Sequence, residues 1–452
     1  MQNAPFRRSL IRICAAVLLL TGAGCELNIT NPNAPSEEEV LTSPEGIRGL
    51  AVGMQEFYAT EAFGETIRVT GTTSRELAAN NTRENFRNLD TGGTGLPPRN
   101  AGVESIWSAN YRVVAMAEDL IQNAPDVGLS QGTQTGILAT ARLFKAMALG
   151  NVASAFEQAP TSTNRNGNAQ FVSRTKVYQE AVALLNEARS AISGASNDQL
   201  SRFGTDVLAL TPSGTPPKTL LLNAINAYLA RFNLYAGNYQ AAIDAANQVD
   251  PSVKVQFTYD GQSRNPVWFR VVDQGFFKPR DNFGTKLTES GDQRIDFYTS
   301  SLDSSSIVNG YPIDKIDGFF TSVSSPIPLY VPGEMPLIRA EAKLETGAPT
   351  SEVISEIDAV RTKTPSQDIY GIGANLPPYS GDTSDQALRR EILQQRRAEL
   401  YLQGVALADS RRLGPDVSNK QNPGPFERNR NFYPYPQQER RNNPNTPENP
   451  NF

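Results

Sequence analysis

Residues 386–413, QALRREILQQRRAELYLQGVALADSRRL, are the stretch that decides the fold class. Four apolar residues share one arc of a helical wheel at 100° per residue: Leu388, Ile392, Leu393 and Leu400. Arg396 and Glu399 lie inside the same arc, three residues apart, and are able to pair with each other. From residue 400 to residue 407, around Gly404, apolar residues occupy all sides. The stretch therefore predicts one long helix, wrapped by other elements, that acts as a central strut.

The same periodicity recurs upstream and predicts a mainly α protein. Four amphipathic or buried helices are predicted at Ile106–Gln122, Gly136–Phe156, Thr175–Ile192 and Leu220–Tyr235. A turn at Gly237-Asn238 leads from the last of these into a further helix over residues 239–249. Two more helices on either side of a turn at residues 347–349 repeat that arrangement. Spacing between the pairs is irregular, which indicates a degenerate tetratricopeptide-like scaffold with repeats at about residues 104–250 and 333–413.

Three segments lack this periodicity. Residues 58–100 are interrupted by glycine and proline pairs and are predicted to be irregular. Residues 251–332 are rich in aromatic, Gly, Ser and Asp residues and predict a loop-rich insertion with one or two short strands, such as Val253–Tyr259. Residues 414–452 are rich in Asn, Pro and Arg, a composition that on its own indicates disorder.

The first 24 residues have the pattern of a lipoprotein signal peptide. Arg7, Arg8 and Arg12 form a basic region, followed by an apolar run too short to span a bilayer. Small residues at positions 22–24 precede Cys25, as a lipoprotein signal peptidase requires, so we expect a lipid on Cys25; an ordinary secretory signal is the alternative. Residues 25–44 then read as a tether, and Pro44 opens the first helix of a single domain over residues 45–452.

Charge and composition exclude several functions. The chain contains no histidine, which removes Ser-His-Asp and Cys-His catalysis and imidazole zinc sites. Loss of the three signal-peptide arginines would take the formal net charge from −5 to −8. That balance argues against nucleic acid as a partner, and we expect contact with the membrane only through the lipid. No motif predicts a catalytic residue, a metal or a cofactor.

Four short motifs together resemble the SusD/RagB family of nutrient-uptake lipoproteins. They are the Cys25 region with its Asn-Pro-Asn, residues 336–342 (PLIRAEA), residues 395–413 (QRRAEL, Gly404, DSRRL) and residues 432–439 (FYPYPQQE). The family's usual glutamates are Gln395 and Gln403 here, and Val405-Ala406 stand in place of an Arg/Trp pair. The residues that match its structural signature are Arg396, Arg397, Glu399, Gly404, Asp409, Arg411 and Arg412.

The resemblance implies a fold and a function. The fold is a helical scaffold of four tetratricopeptide-like hairpins packed on an irregular ligand-binding half, with the C-terminal segment docked against it. The function is non-catalytic capture of oligosaccharide or peptide at the cell surface. The partner is a TonB-dependent, SusC-like transporter, on which such a protein lies as a lid. The implied location is the outer membrane, lipid-anchored and facing the exterior.

Candidate ligand-binding residues come from the insertion and from an early polar run. Glycan recognition needs aromatic faces for the C–H surfaces of sugars and planar amides or charged groups at the rim. The candidates are Trp268, Phe276, Phe277, Tyr298 and Tyr311, with Asn80, Asn81 and Arg83. For the aromatic residues the alternative is that they fill the core beneath the loops, because large aromatic side chains are mostly buried.

Two other functions remain open from the sequence. A helical-repeat protein can assemble envelope proteins without binding any small ligand. A glycosidase needs only two carboxyl groups, and 47 acidic residues guarantee some chance pairs, although none lies in a recognisable motif.

Overall fold

The structure is a computed structural model that describes residues 36–164, 166–211, 214–284, 288–302, 306–415 and 428–451. The predicted signal peptide, Cys25 and the Asn-Pro-Asn motif lie outside these residues. Within them, no helix combines the length and the apolar character needed to cross a membrane.

Helices make up most of the described chain, as predicted. They are α1 (Glu37–Thr42), α2 (Pro44–Phe57), α3 (Phe63–Thr73), α4 (Glu84–Thr91), α5 (Ala101–Asn123), α6 (Gln131–Ala155), α7 (Arg174–Gly194), α8 (Asn197–Asp206), α9 (Pro217–Ala236), α10 (Tyr239–Ala246), α11 (Pro266–Trp268), α12 (Arg294–Tyr298), α13 (Glu334–Glu345), α14 (Thr350–Arg361), α15 (Asp385–Glu399), α16 (Ala406–Leu413) and α17 (Gln437–Asn442). Two π-helical turns, Tyr58–Ala62 and Phe269–Asp273, extend α2 and α11. The prediction of a mainly α fold is confirmed.

Four helix pairs form the repeat scaffold: α6 with α7, α9 with α10, α13 with α14, and α15 with α16. Gly237, at φ +81°, ends α9, and the chain turns directly into α10. Gly347, at φ +70°, takes the same role between α13 and α14. Both turns lie where the sequence predicts them, because only glycine adopts this left-handed conformation without strain.

The strands are short and all pair antiparallel. They are β1 (Leu77–Ala79), β2 (Gln158–Ala159), β3 (Val172–Ser173), β4 (Leu210–Thr211), β5 (Gln256–Phe257), β6 (Phe277–Pro279), β7 (Thr299–Ser300), β8 (Ser306–Val308), β9 (Tyr311–Ile313), β10 (Lys315–Ile316) and β11 (Ile327–Pro328). The pairings are β1–β6, β2–β3, β7–β10, β8–β9 and the three-stranded β11–β5–β4. Seven of these strands lie in the predicted loop-rich insertion.

The single long helix predicted over residues 386–413 is wrong. The chain forms α15 and α16, joined by a buried connection over residues 400–405. Leu402 and Gly404 have φ of +53° and +75°, which a helix cannot accommodate. The buried carboxylate of Glu76 accepts the Leu402 N–H at 3.1 Å and so replaces the helical hydrogen bond. Apolar residues on all sides are therefore the mark of a buried connection here.

The predicted pair of Arg396 with Glu399 is also wrong. Both side chains are fully buried, but Arg396 bonds Asp409 Oδ2 at 2.8 Å and approaches Glu334 Oε1 at 3.4 Å. Glu399 pairs instead with Arg294 at 3.3 Å and with Lys363 at 2.5 Å. The two residues connect α15 to different neighbours.

Residues 58–73 are helical, contrary to the irregular segment predicted. The glycines in this segment serve close packing: a Cβ on Gly64 would lie 2.4 Å from the Cβ of Pro266. Residues 37–42, placed in the tether, also form a helix. Its N-terminus has a capping box, in which Ser36 N–H donates to Glu39 Oε2 at 2.7 Å and Glu39 N–H to Ser36 Oγ at 3.2 Å.

The described C-terminal residues pack on the first half of the chain, unlike a disordered tail. Tyr433 and Tyr435 are fully buried. The Tyr433 hydroxyl donates to the Val69 carbonyl at 3.0 Å, and its N–H donates to the Ala155 carbonyl at 3.0 Å. This segment thereby joins α3 and α6.

Candidate functional site

The candidate residues divide first by burial. Phe277 and Tyr298 are fully buried, and the Tyr298 hydroxyl donates to the carbonyl of Glu399 at 3.0 Å. These two rings belong to the core, as the alternative interpretation holds. Trp268, Phe276 and Tyr311 are half-buried, whereas Asn80 and Arg83 are exposed.

The β1–β6 pairing brings two distant candidates together. Ala79 lies opposite Phe277, so the residues just beyond each strand also meet. The Asn80 N–H donates to the carbonyl of Phe276 at 2.8 Å, and its Nδ2 donates to the carbonyl of Gly275 at 3.0 Å. An exposed amide is thus held beside a half-buried aromatic residue.

Arg83 completes the arrangement. Its guanidinium carbon lies 4.7 Å from the ring centroid of Phe276 and 5.9 Å from that of Phe86, and the two rings are 5.6 Å apart. Asn81 Oδ1 accepts the Arg83 N–H at 2.9 Å and turns the chain into α4. We call Asn80, Arg83, Phe86 and Phe276 the ring platform.

Sequence reasoning missed Phe86. It is the third residue after Arg83, so both side chains lie on one face of the first turn of α4. That spacing is a usable signal, but the contact with Phe276 depends on the β1–β6 pairing, which joins segments about 195 residues apart.

A buried ion pair supports the platform from below. The Arg68 guanidinium lies 5.3 Å from the ring centroid of Phe277 and 5.8 Å from that of Phe86, and it pairs with Glu65. Burial alone would raise the pKa of Glu65, but Arg68 and a hydrogen bond from Ser105 outweigh it and hold that pKa below its usual range. The carboxylate is therefore ionised and fixes Arg68 beneath the rings.

The β8–β9 hairpin packs on the other side of β1. Asn309, at φ +50°, and Gly310, at φ +84°, form its turn. Asn309 Nδ2 donates to the carbonyl of Ala79 and to Asp90 Oδ2. Asp90 pairs with Arg280 at 2.7 Å, and the Arg280 guanidinium stacks 3.6 Å from the ring centroid of Tyr311. Tyr311 thus lies near the platform, with one face of its ring covered.

A separate cleft of about 500 Å³ lies beside α11; Pro266 and Phe269 line it, but Trp268, which lies between them in sequence, does not. The two π-helical turns line this cleft. Phe269 stands between Arg264 and Arg270, each guanidinium carbon 5.3 Å from its ring centroid. Partial burial and the neighbouring Glu65 raise the pKa of Glu61 at its rim.

The signature residues of α15 and α16 lie away from the platform rings, within the scaffold. Asp409 accepts from Arg396 and, at 3.0 Å, from Arg412, which also pairs with Glu341 at 2.8 Å. Arg411 donates to the carbonyls of Ser154 and Asn431, and Arg397 to that of Ser74. Within the described residues, no group of three or more acidic or cysteine side chains could hold a metal ion.

Comparisons with solved structures agree on one fold. A SusD superfamily protein from Bacteroides thetaiotaomicron matches with a TM-score of 0.67 and 16% identity over 90% of this chain and 100% of its own. A SusD/RagB family protein from the same organism matches with a TM-score of 0.65 and 16% identity over 88% and 94% of the two chains. A SusD-like carbohydrate binding protein from Bacteroides vulgatus matches with a TM-score of 0.60 and 16% identity over 82% and 83%.

No family model and no curated protein matches the sequence. The likeness is therefore one of structure, spread over nearly the whole length of both chains. It confirms the resemblance that four short motifs indicate in the sequence: the chain has the fold of the SusD superfamily.

Proposed function

We propose that this protein is a non-catalytic, lipid-anchored binding protein of the outer membrane, which captures oligosaccharide or peptide at the cell surface. The ring platform carries the proposal, because it combines two half-buried aromatic rings with an exposed amide at the end of a strand pair. The SusD-like carbohydrate binding proteins from two Bacteroides species, which share the fold, support a glycan. The lipoprotein signal before Cys25 supports the location.

The platform suits a sugar ring for a physical reason. The C–H face of a pyranose packs on an aromatic ring, and its hydroxyls need planar donors and acceptors at the edge. Phe276 offers the ring, and Asn80 offers an amide whose orientation is fixed by the Gly275 carbonyl. Because these groups are already ordered, binding does not have to order them.

Isothermal titration with the soluble chain from Glu26 tests this function. A glycan library identifies a ligand, and Phe276→Ala should then weaken its affinity at least about tenfold, as expected for truncation of a central aromatic contact. Tyr379→Ala is the matched control, since that half-buried ring packs against a separate core cluster. Absence of binding to any glycan or peptide pool would sink the proposal.

We further propose that captured ligand passes to a TonB-dependent, SusC-like transporter. The tetratricopeptide-like scaffold supports this partnership, because such repeats commonly form extended protein-binding surfaces. Affinity purification of the lipidated chain from membranes should recover an outer-membrane transporter. Recovery of other envelope proteins alone would favour a scaffold function.

A further inference from the structure

The Arg83 guanidinium is an exposed cation that has no carboxylate partner among the described residues. Within the described residues, it forms no ion pair, and the contacts that hold it are the rings of Phe276 and Phe86. Two buried arginines near the platform are paired, by contrast: Arg68 with Glu65 and Arg280 with Asp90. The planar donors of Arg83 are therefore fixed in orientation and remain available to solvent.

Two further cations lie beside it. Lys278 is half-buried on β6, and its Nζ lies 3.7 Å from the position that a Cβ on Gly275 would take. That places the ammonium close to the Gly275 carbonyl that orients Asn80. Arg87 follows Arg83 by one helical turn and is exposed. In the described parts of the chain, neither residue forms an ion pair, which distinguishes them from the buried charges of the scaffold.

The carboxylates near Arg83 have other partners, whereas Lys278 lines a cleft together with Asp314 and Asp317. Glu84 lies 3.7 Å from Arg99, and Asp90 is buried against Arg280. Asp273, at the end of the π-helical turn that precedes Phe276, is exposed. Arg83 and Arg87 are thus two exposed cations against this one exposed carboxylate. The whole chain has a formal net charge of −5. Unpaired positive charge at the platform, on an acidic protein, favours an anionic ligand there.

We propose that the ring platform selects a sugar that carries a carboxylate, such as a uronic acid residue in an oligosaccharide. This inference rests on the proposed function and names its ligand class. The sugar ring packs on Phe276 while its carboxylate accepts two N–H groups from Arg83, the bidentate geometry that a guanidinium provides and an ammonium does not. Lys278, whose Nζ lies near Gly275, adds a second positive charge next to the platform.

Matched ligand pairs that differ only in charge test the proposal. One pair is tetragalacturonate and its fully methyl-esterified form; the other is an aldouronic xylo-oligosaccharide and its carboxyl-reduced form. For at least one pair, the acid should bind about tenfold more tightly than its neutral partner. This is the gain in affinity expected from one charge-assisted hydrogen-bonded contact. That preference should shrink as salt is raised from about 0.05 to about 0.5 M, because the contact is solvent-exposed.

Variants assign the preference to Arg83. Arg83→Gln should abolish the difference between acid and neutral ligand, so that the variant binds both members of a pair with equal affinity. Arg83→Lys should restore only part of it, since the bidentate geometry is lost. Arg202→Gln removes an exposed arginine of α8 and serves as the control.

The possible results distinguish failure of this inference from failure of the proposed binding function. Equal affinity for acid and neutral members of both pairs, with both lost in Phe276→Ala, overturns the inference and leaves the proposed function standing. A preference for the acid that survives in Arg83→Gln overturns it as well. Failure of every glycan and peptide to bind removes the proposed function and the inference with it.

Discussion

Two regions of the molecule use arginine in opposite ways. In the scaffold, Arg396 is fully buried on α15 and bridges Glu334 and Asp409. On the ring platform, Arg83 is exposed and is held by aromatic rings. A buried charge needs opposite charges or hydrogen-bond acceptors around it, whereas an exposed one is solvated and can be oriented by rings. The partners of an arginine therefore indicate whether it serves the fold or a ligand.

The largest expected effect on stability comes from removing Arg396, which breaks two buried ion pairs of the scaffold. Arg396→Ala leaves Asp409 and Glu334 buried with less positive charge around them, which should lower the free energy of unfolding by about 3–5 kcal/mol. Urea denaturation of the chain from Glu26 measures this. Ligand affinity of the remaining folded protein should be unchanged; unchanged stability would contradict a structural role for Arg396.

Acid should weaken the same network. Burial alone would raise the pKa of Asp409, but Arg396 and Arg412 outweigh it and hold that pKa below its unfolded value. A carboxylate with a lowered pKa contributes stability that is complete above the unfolded pKa and is lost as pH falls through the folded one. Asp409→Asn should therefore be less stable than wild type at pH 7, and the difference should shrink below about pH 4. A constant difference between pH 7 and pH 3 would falsify this assignment.

A smaller effect is expected where helix α3 meets the insertion. Gly64→Ala places a Cβ 2.4 Å from the Cβ of Pro266, so one segment must shift, at a cost of about 1–3 kcal/mol. Gly49→Ala in α2 is the control, because nothing lies within 4 Å of its Cβ. That control should gain up to about 1 kcal/mol from helix propensity. Equal thermal midpoints for the two variants would contradict this prediction, because they would show that Pro266 moves away from the added Cβ without a cost in stability.

The smallest effect is expected at the platform itself. Arg83→Gln removes an exposed side chain that forms no ion pair within the described residues, so the free energy of unfolding should change by less than about 0.5 kcal/mol. The same denaturation experiment applies. A loss comparable to that of Arg396→Ala would erase the contrast between the two regions and place Arg83 in the fold.

Periodicity predicted most helices of the scaffold from sequence. Thr175–Ile192, with apolar residues at helical spacing, is observed as Arg174–Gly194. The break after Glu399 escaped prediction, because a buried connection and a buried helix are equally apolar. Residues 58–73 escaped prediction because glycines usually interrupt helices, whereas Gly64 lies within a helix and allows the close contact with Pro266.

The site was predictable in part. Asn80, Arg83 and Phe276 stand out as polar and aromatic residues of irregular segments, and the structure brings them together. Phe277 and Phe276 are adjacent in sequence, yet one is buried and the other accessible, because successive residues of an extended segment point to opposite sides. The pairing with strand β1 decides which of the two rings faces outward. Nothing in the local sequence identifies β1 as the partner strand.

The buried C-terminal tyrosines have a consequence for synthesis of the chain. Tyr435 packs with Trp107, Phe156 and Phe171, rings from the first half of the sequence. A ribosome must synthesise the chain past Tyr435 before that residue can cover these rings. Until then the nascent protein exposes an apolar aromatic surface, which chaperones and proteases recognise. A stop codon shortly before Tyr435 should therefore yield a product that is degraded.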